Sequence, residues 1–504
     1  MQNYIRTILL VFISLVIIKN INAQIYVAPD GSDINTGKID SPLATLTKAI
    51  SLAAADTLIY MRGGVYNFNA TIKLSKSGTE GHTIKVWNYP GEHPVIDFKQ
   101  QPINTSSRGI YISGKYWHVK GLEIRKAGDN GIYITGSYNL VEACRMHNNF
   151  DSGLQISGGG SYNKVINCDS YANYDSLSHG ENADGFAAKL DIGPGNEFHG
   201  CRSWHNVDDG WDLYEGQNPV IIDSCWTFQN GFNLWNDTNF QGDGNGFKLG
   251  GNNIVGLHIV TNCVAFDNKV KGFDQNNNMG GVTIYNCTSW RNKSYNYSFP
   301  KVPTTGKHIL KNNLGFGGSN SISSAGAEQE KNSWNGFTVL ENDFISLDTV
   351  LAKAPRNADS SLPVNDFLKL ISTSSLVDVG IDVGLKYNGV APDLGAFETS
   401  TSSGLVDNKV LNNDFSLEQN YPNPFNPVTT IRFIIGKTGF VNLSIFNSLG
   451  ELVETLINEE KNPGVYSVKF SAQDLNGYSL PAGIYYAKMQ IANNCVVKKL
   501  VLLK

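Results

Sequence analysis

Four aspartates and two lysines could do chemistry together: Asp184, Asp208, Asp209 and Asp212, with Lys189 and Lys248. They sit in three short strings, each built around a glycine. These are Glu181-Asn-Ala-Asp-Gly-Phe-Ala-Ala-Lys189, Asp208-Asp-Gly-Trp-Asp212 and Gly244-Asn-Gly-Phe-Lys-Leu-Gly250. If the chain stacks Gly185, Gly210 and Gly246 in register, Asp184 lies over Asp209, with Asp208 and Asp212 on the same corner. Lys248 then falls one layer beyond Asp212. Four carboxylates so close repel strongly in a partly desolvated groove unless a cation holds them. A hard, oxygen-ligated ion answers that need, and a carboxylate-rich, irregular site suits Ca2+ better than Mg2+. Asp before Gly is also ordinary turn chemistry, which accounts for Asp129 and Asp151. It does not account for Asp212, which follows the turn in a strand. Lys189 reads as a binder of a substrate carboxylate. Lys271, with Asp274, reads as a further partner one layer on.

What must bring these residues into register is a repeat. Cys144, Cys168, Cys201, Cys225, Cys263 and Cys287 recur at intervals of 24, 33, 24, 38 and 24 residues, each followed five residues later by an asparagine. Three residues after five of them stands an aromatic: Tyr171, Trp204, Phe228, Phe266 and Trp290. Such self-similarity marks a solenoid, one repeat per coil, with coils stacked by parallel strand pairing. Like residues then pile on like, giving a thiol column, an aromatic column and an asparagine ladder that satisfies buried backbone groups. Leu122 falls at the cysteine position one coil earlier, so the slot is apolar and the thiols are expected to be free and buried. A second mark is the glycine of each coil (Gly131, Gly153, Gly185, Gly210, Gly246, Gly272), read as a turn residue at positive φ before a short strand. The Cys-to-Gly count is 9, 17, 9, 21 and 9 residues, so both insertions enter at one corner, before Gly185 and Gly246. Insertions gathered on one side of a solenoid build its binding face.

Composition agrees. Of 504 residues, 51 are Gly and only 17% are charged, a profile of many tight turns rather than long amphipathic helices. The net charge of −5 gives no basic face for nucleic acid. Residues 1–23 read as a secretory signal: Arg6, an apolar run from Ile8 to Ile18, and small or polar residues ending at Ala23. No later segment is long and apolar enough to span a bilayer. The segment Pro42–Ile50 has helical spacing of apolar residues behind Ser41, read as the cap of a short helix that plugs the first coil. The repeat stops at Glu398. Residues 399–414 have linker composition. Residues 415–504 read as a separate β-sandwich, introduced by Asn420-Tyr-Pro-Asn-Pro-Phe-Asn-Pro427.

The three acidic and lysine strings resemble the motifs of polysaccharide lyase family 9 pectate lyases, in order as well as in type. The similarity runs from about Tyr26, through Pro29-Asp-Gly-Ser-Asp33, to Pro392-Asp-Leu-Gly-Ala-Phe-Glu398. The resemblance implies an all-β, right-handed parallel β-helix over residues 24–398. It also implies Asp184, Asp208, Asp209 and Asp212 as calcium ligands and Lys248 as catalytic base. The implied substrate is an acidic plant polysaccharide, pectate or polygalacturonate. The C-terminal module resembles the sorting domain of type IX secretion substrates, on Leu480-Pro-Ala-Gly-Ile-Tyr-Tyr486 and the terminal Lys498-Lys-Leu-Val-Leu-Leu-Lys504. That implies a protein secreted or attached to the cell surface by the type IX machinery; a monomer is expected.

The chemistry so implied is β-elimination. The C5 proton of a uronate lies α to its carboxylate and is weakly acidic, so a cation on that carboxylate and a neutral amine beside it are both required. Two rivals remain open at this stage. A glycoside hydrolase on the same fold would need an acid and a base or nucleophile, and gives Lys248 no role. A non-catalytic carbohydrate-binding or adhesive solenoid would keep binding without Lys248.

Overall fold

The computed structural model describes residues 24–399 and, with short interruptions, 415–503. Residues 1–23, read from the sequence as a signal, and nearly all of 399–414, read as a linker, lie outside the described residues. The described residues fall into two units that divide between Thr401 and Ser402.

The first unit is a right-handed parallel β-helix of three sheets. A twelve-stranded sheet runs from Gln24–Val27 to Ala327–Glu330, and two ten-stranded sheets run from Ile72–Leu74 to Asn320–Ile322 and from Gly64–Asn67 to Leu314–Phe316. One coil shows the order: Phe186–Ala188 in the site-bearing sheet, Asn196–His199 in the long sheet, then Arg202–Trp204 in the third. Strands this short are stable only because each is paired on both sides and buried on its inner face.

In the site-bearing sheet the residue after each coil glycine points inward, as does Tyr297 after Asn296 in the following coil. Phe186, Trp211, Phe247, Phe273 and Tyr297 stack there with ring centroids 4.8–5.0 Å apart. Facing them from the third sheet are small residues, Ser170, Ser203, Thr227, Ala265 and Ser289, which leave room for the rings. The six cysteines are buried free thiols, and each backbone N–H from Cys144 to Cys263 donates to the next sulfur at 3.3–3.4 Å. The asparagine ladder runs as expected: Asn149, Asn173, Asn206, Asn230, Asn268 and Asn292, each side-chain N–H donating to the next amide oxygen at 2.8–3.1 Å. A thiol reagent on the native protein is therefore expected to titrate the exposed Cys495 alone, and all seven cysteines after denaturation. Disulfides would lower the denatured count by even numbers.

Three expectations from the sequence need correction. The coils end at Ala327–Glu330 and not at Glu398, because the following residues leave the repeat to pack across the third sheet. The coil glycines are not at positive φ; the left-handed residues are those just before the ladder asparagines, such as Ala172, His205, Gln229 and Asp267. Glycine is required instead by close approach, since a Cβ on Gly185 would collide with Ser203 Oγ and one on Gly210 with Thr227 Oγ1. The short helix is Leu46–Leu52, capped by Thr45, whose side chain accepts from Lys48 N, and not by Ser41. Leu43 is held extended by its hydrogen bond to Tyr26 O, and the Asp33 carboxylate fixes Ala44 N, Thr45 N and Thr45 Oγ1. Leu46, Ala49 and Ile50 bury in the main core, as a plug requires.

The aromatic column lies outside the coil, on the outer face of the third sheet. His147, Tyr171, Trp204 and Phe228 stack there at 4.5–5.6 Å. Residues 337–397 cross this face, with Phe344 on Phe316 and Phe367 against Phe266. Arg356 from this strap joins Arg202 on the buried Asp169 at 2.8–2.9 Å.

The second unit has an antiparallel three-stranded sheet (Phe415–Leu417, Val428–Ile435, Gly464–Ser471) and a four-stranded one (Gly439–Asn447, Leu452–Lys461, Gly483–Ile491, Asn494–Leu502). Phe433, Leu443, Ile445, Phe470, Met489 and Leu500 form its core. Among the described residues no helix is long and apolar enough to cross a membrane.

Candidate active site

Strand register brings the site residues together. One continuous column of outward positions reads Tyr111, Tyr133, Gln155, Ala187, Asp212, Lys248 and Asp274. Asp212 and Lys248 are direct partners across adjacent strands. Each is flanked by inward residues, Trp211 and Leu213 on one strand and Phe247 and Leu249 on the next, all fully buried. The local alternation of core and outward residues thus aims both side chains at the same outer face.

The carboxylates and amines alternate. Lys189 Nζ lies 2.7 Å from Asp184 Oδ2 and 3.1 Å from Asp212 Oδ2. Lys248 Nζ lies 3.1 Å from Asp209 Oδ2, and 3.8 Å from both Asp212 Oδ2 and Asp243 Oδ2. Backbone and amide donors orient the acids. Asp209 Oδ1 accepts from Asn245 N and Nδ2 at 2.7 and 2.9 Å, Asp212 Oδ1 from Tyr214 N at 2.9 Å, and Asp208 Oδ1 from Asp243 N at 2.6 Å. Ser152 Oγ donates to Asp184 Oδ2 at 3.0 Å.

Two triads of carboxylate oxygens lie within 4.8 Å of one another: Asp184, Asp209 and Asp212, and Asp208, Asp209 and Asp243. Asp209 belongs to both. Five carboxylates against two ammonium groups leave three uncompensated negative charges if all ionise (five minus two). Burial pushes Asp184 up to about 6 and Asp209 up to about 7, despite Lys189 beside the first and Lys248 beside the second. Burial and the neighbouring Asp209 push Asp208 up as well. Asp212 is also buried, but Lys248 and Lys189 outweigh that and hold it down. For Lys248, burial works against the charged form, yet Asp209, Asp212, Asp208 and Asp184 hold the amine protonated above its usual range.

These donors fit a hard cation. Among the described residues the buried Asn245 Oδ1 has no hydrogen-bond partner, and the buried Asp209 Oδ2 makes no aligned hydrogen bond although the Lys248 amine lies 3.1 Å from it. A buried acceptor left so is costly unless something satisfies it. All the available ligand atoms are oxygens, the set that suits calcium.

The structure thus brings together Asp184, Asp208, Asp209, Asp212, Lys189 and Lys248. Lys271 stands one coil beyond, its amine 2.9 Å from Asp274 Oδ2. Sequence reasoning missed Asp243 and Asn245. Asn245 stands one residue before Gly246, the place Asp184 and Asp209 hold in their coils, which was a usable signal. Asp243 lies at the end of an insertion, outside any repeat position, and nothing in the repeat marks it. The two insertions dock on each other beside the cluster: Tyr174 stacks on Trp235 at 4.8 Å and donates its hydroxyl to Asp237 Oδ2 at 2.6 Å.

Comparison with known proteins bears on both units. Residues 25–313 match the family described as Pel9A-like, right handed beta helix region, and residues 419–503 match the Secretion system C-terminal sorting domain. The chain is 44% identical to Pectate lyase L of Dickeya chrysanthemi, over 74% of this chain and 90% of that protein. It is 36% identical to Pectate lyase PEL9 of Emericella nidulans, over 69% of this chain and 92% of that one. Among solved structures, pectate lyase Pel9A superposes with a TM-score of 0.72 at 43% identity, covering 75% of this chain and 96% of that one. A rhamnogalacturonan lyase superposes at 0.63 with 28% identity, covering 69% of this chain and 97% of its own.

Proposed function

Because the chain belongs to the Pel9A-like right-handed β-helix family and is a polysaccharide lyase, we propose that it cleaves pectate by calcium-dependent β-elimination with Lys248 as the base. It is secreted or held at the cell surface. The type IX machinery is the export route we propose from its sorting domain. The observation that carries the catalytic reading is the convergence of Asp184, Asp208, Asp209 and Asp212 in two carboxylate triads that share Asp209, with the Lys248 amine 3.1 Å from Asp209.

In this reading Asp184, Asp208, Asp209 and Asp212 hold calcium, with Asp243 and Asn245 at its edge. Bound calcium supplies Lewis-acid polarisation of the substrate carboxylate, which stabilises charge developing at C5. Lys248 takes the C5 proton and the C4–O bond breaks, so the C5–H electron pair becomes the 4,5 double bond, and the leaving sugar keeps the bridging oxygen with the C4–O electron pair and takes a proton from water. To act so, Lys248 must be neutral, and the uncompensated carboxylates oppose that. Positive charge on those carboxylates relaxes their hold on the amine. Lys189, fixed between Asp184 and Asp212, and Lys271, half-buried one coil on beside Asp274, are the amines that would meet the carboxylates of an acidic chain.

The test is the absorbance of the conjugated double bond formed from polygalacturonate, with and without chelator. Elimination gives absorbing product only with calcium; hydrolysis gives new ends without absorbance, and a binding solenoid gives neither. A rhamnogalacturonan backbone is the second reading, favoured by the 28% identical neighbour, and the pectate reading by the 43–44% identical ones. Running both polymers side by side decides between them.

A further inference from the structure

The column that carries Asp212 and Lys248 does not end at the acidic cluster. Toward the N-terminus it continues through Ala187 and Gln155 to Tyr133 and Tyr111, and then to the exposed Lys73. Tyr133 is four strand spacings from Lys248, ~19 Å at about 4.8 Å each. That span is several sugar residues long. In the neighbouring column, one residue before each coil glycine, Arg108 occupies the place that Asp184 and Asp209 hold nearer the cluster.

Arg108 is unusual in what it leaves undone. Its guanidinium packs over the Tyr133 ring at 4.4 Å, and Tyr133 in turn lies 5.6 Å from Tyr111. Its nearest acid is Asp129, with Nε 3.5 Å from Oδ2, too far and too poorly aligned to be a hydrogen bond. Both of those atoms are buried and without a hydrogen-bond partner, although the Arg108 side chain as a whole stays 25% exposed. A guanidinium carries five donors in a fixed fork matched to carboxylates. Here the fork is held against an aromatic ring and, among the described residues, makes only the loose ion pair with Asp129 and no side-chain hydrogen bond. Tyr111 and Tyr133, both half-buried, add amphipathic ring surface of the kind that packs against sugars. Gln155 and Asn130, hydrogen-bonded to each other at 3.1 Å, form the polar floor between this patch and the cluster.

We infer that Arg108, Tyr133 and Tyr111 form a distal subsite for an acidic sugar, in line with the cluster and several residues along the same polysaccharide chain. The inference rests on the lyase reading for the identity of the polymer, while the geometry of the patch stands by itself. Its function is to favour long acidic chains over short ones, because only a long chain reaches both places. Arg108 and Tyr133 set chain-length preference and take no part in proton transfer.

The test measures affinity, so that it is read apart from the reaction. In the full chain carrying Lys248→Ala, with calcium present, dissociation constants are measured for a galacturonate trisaccharide and an octasaccharide. The octasaccharide is expected to bind more tightly. Adding Arg108→Gln is expected to cut that preference by about tenfold, the loss of one or two charge-assisted hydrogen bonds. Tyr133→Ala is a second, independent variant expected to act in the same direction. Equal affinities of the two oligosaccharides for the parent protein, or a preference unchanged in both variants, overturns the subsite. Absence of unsaturated product from the native protein would count against the elimination reading instead and leave the affinity ratios to be judged alone.

Discussion

Lys248→Ala is expected to lower kcat for unsaturated product by about 10³-fold, within the range for loss of a positioned general base. A group that acts only as the proton leaves is felt in kcat and kcat/KM together, with little change in KM. A second effect follows from the site's charges. The Lys248 ammonium lies within 3.8 Å of the buried Asp209 and Asp212 and of the exposed Asp243, so its removal leaves the two buried carboxylates uncompensated. The calcium-free variant should therefore melt lower than the calcium-free native protein, and calcium should restore much of the difference. This pairing separates chemistry from scaffolding. A variant that still gains Tm with calcium yet makes no product has lost the base; one that keeps more than about a tenth of native turnover would sink the assignment.

Asp209→Asn removes the carboxylate common to both acidic triads, and should cost activity on the order of 10²-fold or more at fixed calcium. Its independent readout is stability. A ligand that binds only the folded protein adds about 2.7 kcal/mol at a hundredfold excess over its Kd, so native Tm should rise with calcium and fall with chelator. In Asp209→Asn that dependence should all but vanish. Magnesium at the same concentration should do less for the native protein, because it demands near-octahedral geometry that this irregular set of acids does not offer. Asp243→Asn should weaken the calcium response less, since Asp243 is 63% exposed and belongs to one triad only. A Tm indifferent to calcium in the native protein would remove the metal from the proposal altogether.

Much of the fold was legible because parallel, in-register stacking turns sequence repeats into spatial columns. A cysteine recurring with an asparagine five residues on could be read as a buried thiol column and a ladder, and both are present. The same logic placed Asp184 over Asp209 and Lys248 beside Asp212. It failed where contacts join coils at points the repeat does not encode. Gly185 and Gly210 look like turn glycines in the sequence, yet what demands them is Ser203 Oγ or Thr227 Oγ1 from the facing sheet. Thr45 rather than Ser41 caps the helix because Leu43 is claimed by a strand pairing first. The strap over the third sheet has no repeat of its own, so its docking through Phe344, Phe367 and Arg356 was not foreseeable from periodicity.

By itself, then, the sequence determined the coil, the register and which acids and amines share a face, because strand alternation and fixed repeat length leave those no freedom. Only the tertiary structure decided the electrostatic state of that face. It brought Asp243 in on an insertion, left Asn245 Oδ1 without a donor among the described residues, and set Arg108 on Tyr133 with only a loose ion pair to Asp129. Those outcomes depend on burial and on distances of a few ångströms between distant segments, and charge interactions vary most steeply over that range.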